Sequence, residues 1–447
     1  MQNILIIGAG RSTQSLVDYL LFHAESQDWQ VIVADRNLSL AQSKINSHTR
    51  GKAIELDVNQ EEERRRWIKE ASIVVSMLPA FMHKEVASDC VALGVHLATA
   101  SYLSEEMKAL GAAAKEKGLI LLNEIGVDPG IDHLSAMKMI DEIRAMGGEL
   151  LAFESFTGGL LAPESKKNPW DYIFSWNPRN VVLAGAGGAV KFKQEGEYKY
   201  IPYSQIFRRT EFMDIQGYGR FEGYANRDSL MYRSVYGLDE IPTIYRGTLR
   251  RPGFCRAWDV FVKLGLTDDS YEMEGVENMT HRSFVNAFLA YHEFNSVEIK
   301  LMHYLHIAQD DDLMEKLTWL DLFEEVPIGL DKGTPAQILQ HILEKKWTMQ
   351  PDDIDMLVMC HKITYQKNGS KYIREMSLVV KGKNAAHTAM AHTVGLPLAM
   401  AVRRILEGKI KETGAVLPIT SEWYTPLLLE LAEYGIVFHE KETPCKA

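Results

Sequence analysis

The sequence predicts an α/β protein whose first part is a doubly wound parallel sheet. Over residues 1–125, short apolar runs alternate with segments in which apolar residues recur every three or four positions. This alternation is typical of βαβ units, because parallel strands are joined by crossover connections that are usually helices. A glycine-rich turn directly follows the first apolar run. A chain of 447 residues is longer than a domain with a single hydrophobic core usually is, so two or three domains are expected.

The elements of this first part are predicted from composition and periodicity. Strands are expected where short runs of β-favouring apolar residues occur, at 3–7, 31–34, 52–56, 73–77, 95–98 and 119–122. Helices are expected where apolar residues have helical spacing, at 11–24, 38–45, 60–69, 84–93 and 105–117. Ligands of an open parallel sheet bind outside the carboxyl ends of its strands. The residues that follow each strand are therefore the candidates for function.

The turn after the first predicted strand has the composition of a dinucleotide-binding turn. It reads Gly8-Ala9-Gly10-Arg11-Ser12-Thr13 and opens a predicted helix. Gly8 permits the tight turn, Gly10 has no Cβ to keep a pyrophosphate away, and the helix N-terminus offers free N–H groups to the anion. Thr13 replaces the third glycine of the fingerprint. We interpret the segment as a degenerate copy in a Rossmann-type domain; the alternative is a glycine-rich turn without a ligand.

The end of the second predicted strand bears on the choice of cofactor. Asp35 stands where an acid would accept a hydrogen bond from the 2′-hydroxyl of an adenosine ribose, which favours NAD. Arg36 follows it and could instead pair with a 2′-phosphate, which favours NADP. A solvated charged loop without a ligand is the third reading. The sequence leaves the choice between NAD and NADP open.

The segment 121–133 carries the candidates for acid–base chemistry. It reads Leu-Leu-Asn-Glu-Ile-Gly-Val-Asp-Pro-Gly-Ile-Asp-His, and its Asp-Pro-Gly predicts a tight turn before a helix that begins near Ile131. Asp128 is the best candidate for moving protons. Its alternative role is to accept hydrogen bonds from backbone N–H groups of the turn. His133 is either a proton relay or a packed residue at the helix start.

Beyond residue 127 the pattern changes to a second, mixed region. A strand is predicted at 149–156, and arginines gather between 208 and 256. Residues 270–345 lose the strand character and are interpreted as a small helical insertion, in which Thr334-Pro335 has the composition of a helix start. Later elements are expected as strands at 355–365 and 376–381 and as a small-residue helix at 385–406 that packs closely on a neighbour.

Composition and charge argue against several classes of partner. The net charge of −11 disfavours a general nucleic-acid surface, which needs a basic excess. Arg227 and Arg246 are candidates for binding an acidic substrate, because a guanidinium forms two parallel hydrogen bonds with a carboxylate. Their alternative role is to pair with Glu or Asp on a sheet surface. The four cysteines are far apart, so no disulfide framework and no metal site are expected, and a cytoplasmic location fits. No apolar run approaches the roughly 18 residues of a membrane span.

Several longer motifs occur together in one order. They are the stretch at 123–133, Gly158-Gly-Leu-Leu-Ala-Pro-Glu164, Phe174-Ser-Trp176, Asn226-Arg-Asp-Ser229 and Arg246-Gly-Thr-Leu-Arg250. The similarity continues into Met359-Cys-His-Lys362 and the Gly395-Leu-Pro tail, so it covers essentially the full chain. On these residues the sequence resembles the saccharopine reductases, the glutamate-forming saccharopine dehydrogenases of lysine metabolism.

The resemblance implies three domains and an activity. The expected domains are a dinucleotide domain at 1–126 completed by 386–447, a substrate-binding and dimerisation α/β domain at 127–269 and 346–385, and a small helical domain at 270–345. The implied reaction is the reversible NAD(P)-dependent oxidation of saccharopine to glutamate and 2-aminoadipate 6-semialdehyde. The implied assembly is a homodimer.

The resemblance also implies the residues of the site. The cofactor-binding residues would be Gly8, Gly10, Arg11, Ser12, Thr13, Asp35, Arg36, Asp57, Leu78, Pro79, Thr99, Ala100, Ser101, Ile125, Val127 and Ser175. The substrate-binding residues would be Ser101, Tyr102, Asp128, Arg227, Arg246, Gly247, Thr248 and Leu249. For the catalytic step, the candidates come from the residues themselves and from the proton transfers that the implied reaction needs: Asp128, Tyr102 and His133. Tyr102 would donate to a carboxylate, and its alternative role is to fill a core edge.

The sequence departs from the family at two positions, and two other functions compete. Asp35 stands where the better-known NADP-linked members have no acid, and Thr157 replaces a cysteine of the fungal members. A related dehydrogenase acting on carboxynorspermidine or on lysine would share the glycine turn but not the full motif set. A dinucleotide-binding regulator without turnover would not need the polar groups of Tyr102, Asp128 and Arg227.

Overall fold

The computed structural model of the chain describes residues 1–184 and 188–445. Its strands are β1 (Gln2–Ile7), β2 (Trp29–Asp35), β3 (Gly51–Glu55), β4 (Ile73–Ser76), β5 (His96–Ala98), β6 (Ile120–Leu122), β7 (Glu149–Leu161), β8 (Val190–Gln194), β9 (Glu197–Ile201), β10 (Thr210–Ile215), β11 (Gly219–Ala225), β12 (Thr243–Arg250), β13 (Asp355–Lys367), β14 (Ser370–Lys381), β15 (Gly414–Val416) and β16 (His439–Pro444). Its helices are α1 (Gln14–Ala24), α2 (Leu38–Ile45), α3 (Glu61–Lys69), α4 (His83–Leu93), α5 (Glu105–Ala109), α6 (Gly111–Glu116), α7 (Ile131–Ala145), α8 (Pro178–Val182), α9 (Tyr232–Val235), α10 (Phe254–Leu264), α11 (His281–Asn286), α12 (Val297–Leu305), α13 (Asp312–Trp319), α14 (Pro335–Trp347), α15 (Ala389–Leu406) and α16 (Ser421–Glu433).

Contacts divide the chain into two compact units. The first unit consists of Met1–Leu150, Tyr365–Tyr372 and Leu378–Lys441, and the second of Leu151–Thr364, Ile373–Ser377 and the segment that begins at Glu442. The first unit therefore includes α7, which lies beyond the boundary predicted at residue 126. The division into three domains stays a prediction.

The first unit is built on a seven-stranded sheet with the order β15-β6-β5-β4-β1-β2-β3. Every neighbouring pair in this sheet is parallel. The chain moves from β1 outward to β3 and returns beside β1 as β4, which creates the switch point where ligands bind in such sheets. The inner strands are apolar on both faces, as expected where helices cover both sides. The fold class predicted from the alternation of strands and helices is confirmed.

A C-terminal helix packs against the first helix of this unit. Gly395 of α15 lies so close to α1 that an added Cβ would be 2.7 Å from the backbone nitrogen of Leu16. A residue with a side chain would force the two helices apart at this point. The prediction that the small-residue tail packs closely on a neighbour is confirmed, and the neighbour is the helix that follows the glycine-rich turn.

One local prediction is wrong, and one strand of the sheet was not predicted. The helix predicted at 105–117 is two helices, α5 and α6, and Gly111 begins the second one directly against Ala415, whose Cβ would be 3.1 Å from an added Cβ. The strand β15, which contains Ala415 and pairs with β6, was not predicted. A three-residue strand is too short to show a period of two, so its pairing partner identifies it and its own sequence does not.

A nine-stranded mixed sheet accounts for most of the second unit. Its main path is β10-β11-β12-β7-β13-β14-β16, and β8 pairs with β12 and β9. β12 is parallel to β7 and antiparallel to β11. The segment predicted as helical contains α11, α12, α13 and the start of α14, where Thr334 caps the helix and Pro335 occupies its first turn, as predicted. Within the described residues, no helix combines the length and the apolar character needed to cross a membrane.

Candidate functional site

The glycine-rich turn leaves β1 at the carboxyl edge of the parallel sheet. Gly8 has φ +109°, a conformation that glycine alone adopts freely, and an added Cβ would be 2.9 Å from the carbonyl oxygen of Met77. Gly10 is exposed, and an added Cβ would have no atom within 4 Å. Thr13 is buried and donates from Oγ1 to the carbonyl oxygen of Gly8 at 3.3 Å. The turn is therefore closed on its inner side and open at Gly10.

Asp35 ends β2 and is hydrogen-bonded to the glycine-rich turn. Its Oδ2 accepts from the N–H of Ala9 at 2.8 Å, and its Oδ1 accepts from the N–H of Asn37 at 2.9 Å. Arg36 is exposed. The carboxylate that favours NAD and the guanidinium that favours NADP thus occupy adjacent positions at the end of one strand.

The other cofactor candidates of the first unit follow further strands of the same sheet. Leu78 and Pro79 follow β4 and are half-buried and exposed, respectively. Thr99 follows β5 and is buried, and its Oγ1 accepts from the N–H of Ser101 at 3.2 Å. Asp57 follows β3, where its Oδ1 accepts from the backbone and side-chain N–H groups of Asn59. Because all these strands are parallel, their carboxyl ends lie at one edge of the sheet. Arg11, Ser12, Ala100, Ile125 and Val127 also follow these strand ends, with Ile125 and Val127 buried.

Tyr102 and Asp128 are hydrogen-bonded partners. The hydroxyl of Tyr102 donates to Oδ1 of Asp128 at 3.2 Å, and both residues are half-buried. Asp128 precedes a cis peptide bond to Pro129, and Gly130 has φ +146°. An added Cβ at Gly130 would lie 2.1 Å from the carbonyl oxygen of Gly126, so the loop closes on itself. The tight turn predicted here is confirmed, and it presents the carboxylate of Asp128 toward the preceding loop.

Glu124 forms hydrogen bonds with the residues on both sides of Tyr102. Its N–H donates to the carbonyl oxygen of Ser101 at 3.0 Å, and its Oε1 accepts from the N–H of Leu103 at 2.9 Å. Glu124 has φ +58°, which is uncommon for a residue with a side chain and is retained only where contacts enforce it. The sequence contained this glutamate in the candidate stretch but gave no indication that it positions Tyr102.

His133 completes this cluster from inside α7. Its Nε2 lies 2.7 Å from Oε2 of Glu124, and both side chains are buried, with exposed fractions of 0% and 2%. Asp132 accepts at Oδ1 from the N–H groups of Gly130 and His133, at 2.5 Å and 2.9 Å. These buried contacts favour a positioning role for His133. Its role as a proton carrier stays a prediction.

The second unit brings together the two arginine motifs predicted from the sequence. Asn226 donates from Nδ2 to Oγ1 of Thr248 at 3.0 Å, and Ser229 accepts at Oγ from the N–H of Arg246 at 2.9 Å. Arg227, at the turn between them, is exposed and has φ +50°. The guanidinium of Arg246 stacks 4.2 Å above the ring of Tyr232 and is 6% exposed. One of the two arginines is therefore open to solvent and the other is held in a fixed orientation.

The remaining candidates of the second unit are buried. Ser175 is 2% exposed, and its Oγ has no hydrogen-bond partner among the described residues. Gly247 could carry no side chain, because an added Cβ would be 2.4 Å from the ring of Phe156. Leu249 is fully buried. Nowhere in residues 1–184 and 188–445 do three or more potential ligands form a group suited to a metal ion.

A buried histidine at the sheet edge was missed by the sequence analysis. His83 begins α4 and links two hydroxyl groups: its Nδ1 is 2.8 Å from Oγ of Ser76, and its Nε2 is 2.7 Å from Oγ of Ser101. Burial lowers the pKa of His83 to about 4, so its ring is neutral. The residues stand at positions 76, 83 and 101, a spacing that matches no sequence motif.

Two family models together match almost the whole chain. Residues 4–122 match the saccharopine dehydrogenase NADP binding domain, and residues 126–436 match the saccharopine dehydrogenase C-terminal domain. The chain belongs to the saccharopine dehydrogenase family. The family predicted from the motifs is thereby confirmed.

Two curated relatives and one solved structure are similar to this chain over almost its whole length. The chain is 33% identical over 451 residues to the saccharopine dehydrogenase [NADP(+), L-glutamate-forming] of Schizosaccharomyces pombe, covering 99% of each chain. It is 30% identical to the mitochondrial alpha-aminoadipic semialdehyde synthase of Mus musculus, covering 99% of this chain and 48% of that protein. The solved structure of apo saccharopine dehydrogenase (L-Glu forming) from Saccharomyces cerevisiae matches with a TM-score of 0.88 and 30% identity, over 99% of this chain and 100% of that one.

Proposed function

We propose that this protein oxidises saccharopine reversibly to glutamate and 2-aminoadipate 6-semialdehyde, as a dehydrogenase of the glutamate-forming type. The observation that carries the proposal is the similarity to enzymes of that name over 99% of both chains. The hydrogen-bonded pair of Tyr102 and Asp128, close in sequence to the carboxyl ends of β5 and β6, supports it.

The reaction sets requirements that residues of the first unit can meet. Saccharopine is a secondary amine, and its oxidation removes a hydride from a carbon beside the nitrogen; water then opens the resulting imine. The bound dinucleotide supplies the hydride acceptor. Asp128 would stabilise the ammonium form, take the proton that the amine must lose, and move protons during hydrolysis. Tyr102 would keep Asp128 in position by donating to Oδ1.

Residues of the second unit supply donors for the carboxylates of saccharopine. Arg227 is exposed and can approach a carboxylate with both nitrogens of its fork. Arg246 is fixed by Tyr232 and would hold a second carboxylate in one orientation. Thr248 and the backbone of Gly247 and Leu249 border Arg246 in β12. Ser175, with a hydroxyl that lacks a partner among the described residues, would bond to the ligand near the nicotinamide.

NADP is the proposed cofactor, and NAD is the second candidate. The match to an NADP binding domain and the NADP(+) in the relatives' names support NADP, with Arg36 as the partner of the 2′-phosphate. The open side of the turn at Gly10 accommodates the pyrophosphate. One observation favours NAD: Asp35 lies beside Arg36. The carboxylate of Asp35 would repel a 2′-phosphate and would accept a hydrogen bond from a ribose hydroxyl.

A steady-state assay with saccharopine tests the proposed function. We expect the absorbance of the reduced nicotinamide to increase, with a higher kcat/KM for NADP than for NAD. Lysine and carboxynorspermidine are tested as alternative substrates in place of saccharopine and should give far lower rates. Absence of turnover with saccharopine and both dinucleotides would refute the proposed function, and turnover with NAD alone would replace the proposed cofactor.

Arg227→Ala is expected to raise KM for saccharopine by about 10- to 100-fold, because a hydrogen bond to a charged group contributes about 1.5–3 kcal/mol. The dissociation constant of the dinucleotide should not change. Arg220→Ala is the matched control, since Arg220 is an exposed arginine of the same unit that pairs with Asp214 at 3.3 Å. An unchanged KM in Arg227→Ala would remove Arg227 from the substrate site.

We also propose that the enzyme is a homodimer of the cytoplasm. The family resemblance supports the dimer, and the four free cysteines suit a reducing compartment. The mass of the purified protein by light scattering, compared with the chain mass of 50.6 kDa, tests the assembly.

A further inference from the structure

The hydrogen bonds of Ser76, His83 and Ser101 form a chain that starts in the core and ends at the carboxyl edge of the first sheet. Ser76 is the last residue of β4 and is 1% exposed, and His83 is 4% exposed. Ser101 lies three residues beyond β5 and is half-buried. The three side chains contact one another through two short hydrogen bonds of 2.8 Å and 2.7 Å.

The direction of these hydrogen bonds follows from the burial of Ser76. Among the described residues, Nδ1 of His83 is the one acceptor for the hydroxyl hydrogen of Ser76. A buried hydroxyl that fails to donate costs about 1–3 kcal/mol. Ser76 therefore donates to Nδ1, which must carry no proton. Because the ring is neutral, its proton is on Nε2, and Nε2–H donates to Oγ of Ser101.

The same reasoning fixes what Ser101 can do. Its Oγ already accepts from His83, and within residues 1–184 and 188–445 its hydroxyl hydrogen has no acceptor. The hydroxyl hydrogen is therefore available to a ligand, and the ligand must offer an acceptor. A carboxylate oxygen and a carboxamide oxygen are both acceptors of this kind.

We propose that Ser76 and His83 are positioning residues that orient the Ser101 hydroxyl as a hydrogen-bond donor to a carboxylate or carboxamide oxygen of the bound ligand. In the proposed reaction this oxygen belongs either to saccharopine or to the nicotinamide ring. The inference deepens the proposed function and names residues of its site that the family motifs do not contain.

Three variants distinguish the effect of the hydrogen bonds made by His83 from the effect of its side-chain volume. His83→Gln keeps the polarity, because the amide oxygen accepts from Ser76 and the amide N–H donates to Ser101. His83→Met keeps a side chain of similar length and removes both hydrogen bonds. Ser76→Ala is a small change that leaves the ring in place and removes the donor that fixes its tautomer. His48→Gln, at an exposed imidazole, is the control.

The kinetic measurement compares KM for saccharopine and the dissociation constant of the dinucleotide. His83→Met should raise either KM for saccharopine or the dissociation constant of the dinucleotide by about tenfold, the value expected for the loss of one oriented hydrogen bond. His83→Gln should restore it to within about threefold of the wild type. A change in KM assigns the acceptor to saccharopine, and a change in the dinucleotide constant assigns it to the nicotinamide. Equal values for Gln, Met and wild type at position 83 would overturn the proposal.

A spectroscopic measurement does not depend on activity. In protein labelled with nitrogen-15 at histidine, the ring signals of His83, assigned by their loss in His83→Gln, should show a proton on Nε2 and none on Nδ1. Ser76→Ala should mix the two tautomers. A proton on Nδ1 in the wild type would overturn the proposal even if the enzyme is active. An inactive wild type with the expected tautomer would refute the proposed function alone.

Discussion

Replacing Asp128 with Asn should lower kcat for saccharopine oxidation by about 100-fold or more, the usual contribution of a positioned acid–base group. Asn has the same size and retains an oxygen that accepts from Tyr102, so the pair seen at 3.2 Å can persist. It has no carboxylate to take the proton of the amine or to return a proton during hydrolysis. KM should change by less than about tenfold, because the carboxylates of the substrate are bound elsewhere.

The experiment needs steady-state kinetics over a range of pH and one matched control. Asp132→Asn is suited as control, because Asp132 lies four residues on and accepts from the N–H groups of Gly130 and His133. We expect the control to lower the melting temperature and to leave kcat nearly unchanged. If kcat of Asp128→Asn equals that of the wild type, protons move through water or through His133, and Asp128 is only a residue of the turn.

The sheet of the first unit could be predicted from the sequence because its determinants are local. Each parallel strand is a short apolar run, and each crossover helix has its own periodicity. β15 could not be predicted, because it is a strand only by pairing with β6, nearly 300 residues earlier by the numbering of Gly414 and Ile120. Its three residues contain no pattern of their own.

The sequence predicts at which edge of the sheet the candidate residues lie, but it does not predict the contacts that orient their side chains. Gly8, Asp35 and Ser101 could be named because they end or follow strands, and in a parallel sheet that fixes the edge where they lie. The contacts that orient them depend on backbone conformations that no motif encodes. Glu124 in a left-handed conformation and the side-chain link through His83 are two such contacts.

The pair formed by Glu124 and His133 is the contact on which the geometry of Tyr102 depends. Glu124 bonds to Ser101 and Leu103, the residues on either side of Tyr102. Its other carboxylate oxygen lies 2.7 Å from Nε2 of His133. Tyr102 therefore reaches Asp128 from a loop that is fixed through a buried carboxylate.

His133→Leu should lower the free energy of unfolding by about 3–5 kcal/mol, because it removes the partner of Oε2 from a buried carboxylate. Leu fills most of the volume of the ring, so the loss is electrostatic and not due to a cavity. His133→Gln, whose amide N–H can still donate to Glu124, should lose clearly less. Denaturation by urea, followed separately for the two units, measures the difference.

A local measurement decides whether the lost stability concerns the loop of Tyr102. The amide of Leu103 donates to Oε1 of Glu124, so its hydrogen exchange should become faster in His133→Leu than in His133→Gln. If the pair positions Tyr102, kcat should fall in His133→Leu under conditions where the protein is still folded, and recover in His133→Gln. Full activity with a mobile Leu103 amide would show that Tyr102 reaches Asp128 without this support, and equal loss in both variants would instead favour the imidazole itself as a proton carrier.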